Sequence, residues 1–297
     1  MKQKLKKFLY ALSKTRFAPI MRFFWDALVY TQMHLLKLCW FLSGAKKPSK
    51  DQRALMKENV TFLFKSFQRQ SLAKKLYKNI QRYYPGIQVI IVDDSRTPLT
   101  LSGPGLTVVQ LPFNQGLGAG LNAGLALVNT PFVVRMDDDE LLTPRSNFHK
   151  QLEFLLAHPE IDLVGILPKT LPLRTAEKGS REYAKYDMAR APKPLTIPHG
   201  TKIDENHTVL GKVPNIFIAR TEKYRSVGYD DNIKVIDHHE FFFRAAGNMV
   251  SVLDSSCFVL HMHEPFDTAY QAYRTNIAPD KQYIAQKHAK HIASKSK

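Results

Sequence analysis

Two apolar, β-branched runs in this chain each end abruptly in carboxylates. Gln88-Val-Ile-Ile-Val92 stops at Asp93-Asp94, and Phe132-Val-Val-Arg-Met136 stops at Asp137, Asp138 and Asp139. A run too apolar for a one-sided strand is a strand covered on both faces, the habit of parallel sheets. From residue 60 to 167 strand and helix patterns alternate every twenty to thirty residues, which predicts an α/β domain with a mostly parallel central sheet. Ligands of such sheets bind beyond the carboxyl ends of the strands. The two acidic clusters can therefore face one site although more than forty residues separate them.

Strands are predicted at Val60–Phe64, Gln88–Val92, Leu106–Gln110, Phe132–Met136, Leu163–Leu167, Val213–Ala219, Val250–Leu253 and Cys257–Leu260. Helices are expected on the Leu72, Leu76, Ile80 face, from the Gly-rich segment Asn114–Gly124 to about Val128, over Asn147–Ala157, and over Asp237–Gly247 with a glycine stop. Residues 170–210 are rich in proline and charge and have no periodicity. A loop that long is expected to bind a ligand or act as a lid, and specificity is expected to reside there.

The net charge of +17 is concentrated at the ends. Residues 1–50 hold eleven Lys/Arg against Asp26 alone, and five lysines with no acid follow Asp280. Basic ends on a balanced middle favour an anionic surface as partner over a nucleic-acid-binding core, and no nucleic-acid recognition motif accompanies them. Cys39 and Cys257 are the two cysteines, too few for a disulfide framework, which favours a reducing compartment. Asp26, His34 and Lys37 interrupt the apolar stretch from Phe23 to Leu42, so it falls short of a spanning helix. Phe24, Leu28, Thr31, Leu35, Leu38 and Leu42 share one helical stripe, and Leu5, Phe8, Leu9 and Leu12 another among lysines. The expectation is a basic amphipathic arm lying in a membrane interface, peripheral on the cytoplasmic side, with a signal anchor as the alternative. The competing expectation is a stripe packed on the protein's own core. Gly44–Lys50 reads as a linker.

Close carboxylates raise one another's pKa unless a cation sits among them, and an extended Asp-x-Asp offers two oxygens to a hard divalent ion. A solvated acidic turn is the plain alternative. Val89–Ser95, the Asn/Gly-rich helix start and Arg135-Met-Asp-Asp-Asp-Glu140 resemble the nucleotide-sugar half of inverting GT-A glycosyltransferases of the family 2 type. Arg82–Ser95, Asn215-Ile-Phe-Ile-Ala-Arg-Thr221 and His239-Glu-Phe-Phe242 are similar to the β1,4-N-acetylgalactosaminyltransferases that build gangliosides. The resemblance spans about residues 58–263. It implies a GT-A domain (51–265) with a donor half (58–168) and an acceptor half (169–265), flanked by the basic arm (1–50) and a basic tail (266–297) that the charge distribution marks off.

The resemblance also implies roles. Asp94 would contact the uridine with Asp93 supporting its loop, and Asn114, Gly116 and Asn122 would form the helix start beside the nucleotide. Asp137 and Asp138 would bind the nucleotide sugar, and Asp139 with Asp137 would ligate Mn²⁺ or Mg²⁺ bridging the diphosphate. His261 or His263 would add a metal or diphosphate contact. The general base would be Glu240, with Asp237 as runner-up; either carboxylate can instead be a helix N-terminal residue facing the dipole. The family commonly has Arg where Leu121 stands, so a cationic contact is missing or comes from Arg135 or Arg96. The implied activity is metal-dependent, inverting transfer of a hexose or N-acetylhexosamine, GalNAc foremost, from a UDP-sugar to a glycan or glycolipid hydroxyl, in polysaccharide or glycolipid biosynthesis. A nucleotidyltransferase and a degenerate sugar-nucleotide-binding scaffold are the alternatives.

Overall fold

The computed structural model describes residues 15–172, 183–262 and 264–294. The stripe at Leu5–Leu12 and His263 lie outside them. In chain order the elements are α1 (Ala18–Leu42), α2 (Lys50–Asn59), β1 (Val60–Ser66), α3 (Gln70–Tyr83), β2 (Gln88–Asp93) and β3 (Leu106–Gln110). Then come α4 (Leu117–Leu125), β4 (Phe132–Asp137), β5 (Glu140–Leu141), α5 (Phe148–Ala157), β6 (Leu163–Leu171), β7 (His207–Val209) and β8 (Phe217–Arg220). The chain closes with α6 (Thr221–Val227), α7 (Asp237–Ala245), β9 (Ser251–Met262), α8 (Thr268–Thr275) and α9 (Ala278–Ser294). Helix α2 starts where the stretch read as linker ends, and Ser49 and Gln52 form a reciprocal capping box at that start.

The strands form one sheet in the order β3-β2-β1-β4-β8-β6-β9-β5, with β7 paired to β9. The β3-β2-β1-β4 portion is parallel, while β8 runs antiparallel to both β4 and β6. The two runs expected at 250–253 and 257–260 are one strand, β9, whose pairing with β6 shifts register after Ile166. Strand order reverses at β1: the chain places β2 and β3 on one side of it and β4 on the other. A crevice opens at such a reversal, beyond the carboxyl ends. The residues following β1 and β4 therefore meet there.

Alternation along the strands divides the core. Phe62, Phe64, Ile91, Val134 and Met136 face α3 and α5 through Leu76, Ile80, Phe148 and Leu152. Leu63, Ile90, Val92 and Val133 face α4, α6 and α7 through Leu121, Leu125, Tyr224 and Phe241. Each fully buried side chain of this kind contributes about 1.5–3 kcal/mol of transfer free energy. Helix α4 approaches so closely that a Cβ on Gly124 would sit 2.4 Å from Leu63 Cδ1 and 2.7 Å from Val92 Cγ2. That glycine serves helix–sheet packing.

Helix α1 packs Trp25, Val29, Met33, Leu36 and Trp40 onto Leu141, Leu171, Phe258 and Leu260. The stripe picked out by periodicity lies on its other side: Phe24, Leu28, Leu35, Leu38 and Leu42 are 47–73% exposed, and Thr31 is exposed too. Among the described residues, no helix is long and apolar enough to cross a membrane.

Gly124→Val should destabilise the protein by about 1–3 kcal/mol through overpacking, read as a lower urea midpoint at an unchanged slope. An unshifted midpoint would show that α4 has room to move.

Candidate active site

Period-two alternation puts Arg135 and Asp137 on the same face of β4. Arg135 is wholly buried, and its Nη2 lies 2.8 Å from Asp137 Oδ1. Asp138 is buried and ion-paired to Arg69, while Arg69 Nη1 donates to Asp139 Oδ2 at 2.9 Å. The β5–β9 pairing sets Glu140 opposite His261, which brings His261 Nε2 to 3.7 Å from Asp139 Oδ2. Thr170 Oγ1 lies 3.3 Å from the other ring nitrogen. The Glu140 carboxylate turns back to accept from Asp137 N at 2.9 Å.

This crowding separates the acids by environment. Burial, with Asp139 and Asp137 nearby, pushes Asp138 up to about 7 against the pull of Arg69. Burial acts on Asp139 too, but His261 and Arg69 overcome it and hold the carboxyl well below the usual range. Burial beside Asp137 and Asp139 raises Glu140 well above that range. Burial pulls His261 down, and Asp139 more than offsets it, so the imidazole is raised.

Beyond β2, Asp93 accepts from Ser95 N, Ser95 Oγ and Leu99 N at 3.3, 2.5 and 2.7 Å, which closes the turn. Asp94 is fully buried, ion-paired to Lys65 and bonded to Gly116 N at 3.2 Å. Its carbonyl accepts from Asn114 N at 3.0 Å. Asn114 and Gly116 take positive φ, 58° and 101°, and a Cβ on Gly116 would meet Lys234 Cα at 2.9 Å. Only glycine suits both demands. Asn122 lies elsewhere: its side chain clamps the loop after α6 through Tyr229 N, Tyr229 O and Asp231 Oδ1 at 2.8, 2.9 and 2.7 Å. Leu121 is buried in the core, Arg135 is committed to Asp137, and Arg96 lies over Phe113.

These elements enclose a cavity of about 850 Å³ lined by Lys65, Phe67, Arg69, Asn114, Gly116, Asp137, Asp138, Asp139 and His261. Its other wall is the C-terminal segment, through Glu264, Tyr270, Tyr273, Arg274 and Asp280. Tyr270 lies 3.8 Å beneath the Arg69 guanidinium, and Tyr273 meets Phe67 and Phe113 edge-on at 5.0 and 6.1 Å. Asp280 accepts from the backbone N–H groups of Lys234, Val235 and Ile236 at 3.3, 2.7 and 3.2 Å. None of residues 183–210 lines this cavity. Among the described residues the far wall is made by the tail, whose roles, with those of Arg69 and Lys65, sequence reading missed. No motif marks a lone arginine at a strand–helix turn; the aromatic spacing Tyr270–Tyr273 was the available signal.

Asp237 and Glu240 begin α7 and are both buried. Asp237 Oδ2 and Glu240 Oε2 both have no hydrogen-bond partner, and neither residue lines the cavity. Burial raises Asp237 to about 6, with Arg135 opposing and Asp137 adding. Glu240 Oε1 is ringed by Arg244 Nε, Lys287 Nζ and His288 Nε2 at 2.8, 2.8 and 3.2 Å. Burial would raise Glu240, but Arg244 and Lys287 prevail and lower it.

Among the described residues, no group of three or more His, Cys, Asp or Glu converges to hold a metal. Asp139 and His261 form a two-donor pair on the cavity wall, and Asp137 is turned to Arg135. A hard divalent ion bound partly through substrate phosphates requires one or two protein carboxylates, so this oxygen–nitrogen set fits one.

The chain is 30% identical over 198 residues to β-1,4 N-acetylgalactosaminyltransferase 1 of Rattus norvegicus, 64% of this chain and 36% of that one. It is 32% identical over 149 residues to an uncharacterized glycosyltransferase of Haemophilus influenzae, 46% and 54% of the two chains. It thus spans about a third of the mammalian relative's length. S. aureus TarS 1–349 in complex with UDP-GlcNAc superposes with a TM-score of 0.53 at 16% identity, covering 69% of this chain and 59% of that one. A mannosyltransferase of Pyrobaculum calidifontis in complex with GDP-Man and Mn²⁺ gives 0.52 at 16% identity, over 96% and 76%. These likenesses establish the GT-A fold. The family model described as glycosyl transferase family 2 matches residues 60–217, more than half of the chain, and the protein belongs to that family.

Proposed function

We propose that the cavity takes a UDP-sugar and that the protein transfers its hexose or N-acetylhexosamine, GalNAc in first place, with inversion to a glycan or glycolipid hydroxyl. The observation that carries this is the meeting of the Asp137–Asp139 triplet with the Asp94-anchored loop at the sheet's reversal point. Membership of the family supports the reaction class, and the mammalian relative's name supports GalNAc.

Lys65, Asn114 and Gly116 face the nucleotide, with Asp94 behind them fixing their loop. Asp139 and His261, joined by Asp137, would hold Mn²⁺ or Mg²⁺, which neutralises charge on the departing diphosphate. As the acceptor oxygen bonds to the anomeric carbon, the bond to the phosphate oxygen breaks and its electron pair leaves with UDP. The acceptor proton goes to a carboxylate. Asp237 is the better base: its carboxyl feels both members of the Arg135–Asp137 pair, and its raised pKa keeps it basic. Glu240, favoured by the motif, is held by Arg244, Lys287 and His288, and the two cations Arg244 and Lys287 make it a weaker base. It anchors α9.

Asp139→Ala should abolish metal-dependent UDP-sugar hydrolysis and transfer with the melting temperature kept; retained turnover would remove Asp139 from the site. Asp237→Asn should cut kcat by about 10²–10⁴, and the wild type's acidic limb should fall near pH 6, because the base must be deprotonated above its pKa of about 6. Glu240→Gln should instead lower the melting temperature more than kcat. The reverse pattern would reinstate Glu240 as base.

The exposed stripe on α1, in an arm that also carries Arg16, Arg22, Lys37 and Lys46, supports peripheral docking on an anionic bilayer, on the cytoplasmic face. Arg22 lies 3.7 Å from Glu264 and Trp25 packs on Phe266 at 6.0 Å. The arm therefore touches the segment walling the cavity, which favours a membrane-linked acceptor. Replacing Phe24, Leu28, Leu35 and Leu38 together by Ser should release the folded protein from anionic vesicles in a flotation assay. Unchanged binding would rule out this face.

A further inference from the structure

The acids at the end of β4 are neutralised from within the chain. Arg135 takes Asp137 from behind the cavity wall, and Arg69 takes Asp138 and Asp139 from inside the cavity. Resting on the reading of this cavity as a UDP-sugar site, we infer that Arg69 binds the donor's diphosphate and supplies it with a cation that needs no metal.

Four observations carry the assignment. Arg69 lines the cavity beside Asp139 and His261, where the diphosphate would lie. Its guanidinium is a planar fork already engaged with two carboxylates, and phosphate oxygens present the same bidentate acceptor geometry. Its Nε is buried without a hydrogen-bond partner, an unused donor in a site that takes an anion. The face of the guanidinium rests on Tyr270 at 3.8 Å, so the stack holds the group in place while its edge changes partners. The neighbouring cations are committed differently. Lys65 pairs with the buried Asp94, Lys234 Nζ donates to Asn114 O at 3.1 Å, and Arg274 Nη1 donates to Tyr270 Oη at 3.0 Å.

A diphosphate entering beside Asp138 and Asp139 meets two carboxylates that would repel it. Arg69 already offsets that repulsion and offers the phosphate charge-assisted hydrogen bonds in return. The consequence is a donor affinity that survives chelation of divalent ions and depends on the second phosphate.

Calorimetric titration of the full-length protein in EDTA with UDP and with UMP tests this. The wild type should bind UDP more tightly than UMP. Arg69→Gln should lose at least about tenfold in UDP affinity, the scale of one charge-assisted hydrogen bond, while UMP affinity stays put. Arg69→Lys, which keeps the charge and loses the fork, should fall between, and it carries the test if the Gln variant does not fold. Wild-type UDP affinity in Arg69→Gln, or a parallel fall for UDP and UMP, would make Arg69 a structural counter-ion and overturn the inference. UDP binding that appears only with Mn²⁺ would also overturn it and leave the donor site standing. No UDP binding with or without Mn²⁺ would overturn the donor site and, with it, the role of Arg69.

Discussion

Four consecutive acids, Asp137 to Glu140, at one strand end are an electrostatic problem before they are a binding site. The fold solves it with Arg135 on the inner side, Arg69 on the cavity side and His261 across the β5–β9 pairing. Each partner depends on a different part of the topology. Arg135 needs the alternation of β4, Arg69 needs β1 beside β4, and His261 needs β9 to return along β5. The acids are therefore neutralised from three different parts of the sheet and its connections. Their unequal environments matter for chemistry as well. Asp139 is held ionised while Glu140 is raised, so the exposed side of the cluster carries the charge.

Much of the donor half was legible because its signals are local. Unbroken β-branched runs ending in acids located β2 and β4, and the Gly-rich start located α4. The placement of Asp94 behind Asn114 and Gly116 follows from the same turn. What escaped is non-local. Arg69 has no spacing to mark it, and its meaning comes from a contact 69 residues away in sequence. Asn122 sits on the correct helix yet on the face that clamps Tyr229. Periodicity identified the stripe on α1 but not its direction, because Trp25, Val29, Met33 and Trp40 make a second apolar face that does the packing.

The acceptor side shows the same limit more strongly. A proline- and charge-rich stretch without periodicity drew attention as a binding loop, and the basic tail, which lines the cavity among the described residues, did not. That tail is fastened by Asp280 on the loop before α7, by Tyr283 and Lys287 on Asp230, and by Lys287 and His288 on Glu240. A carboxylate drawn from a catalytic-looking motif thus holds the covering segment. Burial and the attached cations, invisible in a motif, are what favour Asp237 over Glu240 as the proposed base.

The central claim is that a nucleoside diphosphate lies between the β4 acids and the tail. Hydrogen–deuterium exchange of the full-length protein with and without UDP and Mn²⁺ addresses it most directly. Protection should appear at residues 66–70, 114–118, 137–141 and 264–280, and residues 183–210 should exchange unchanged. Protection confined to 183–210, or none at the acids and the tail, would contradict it.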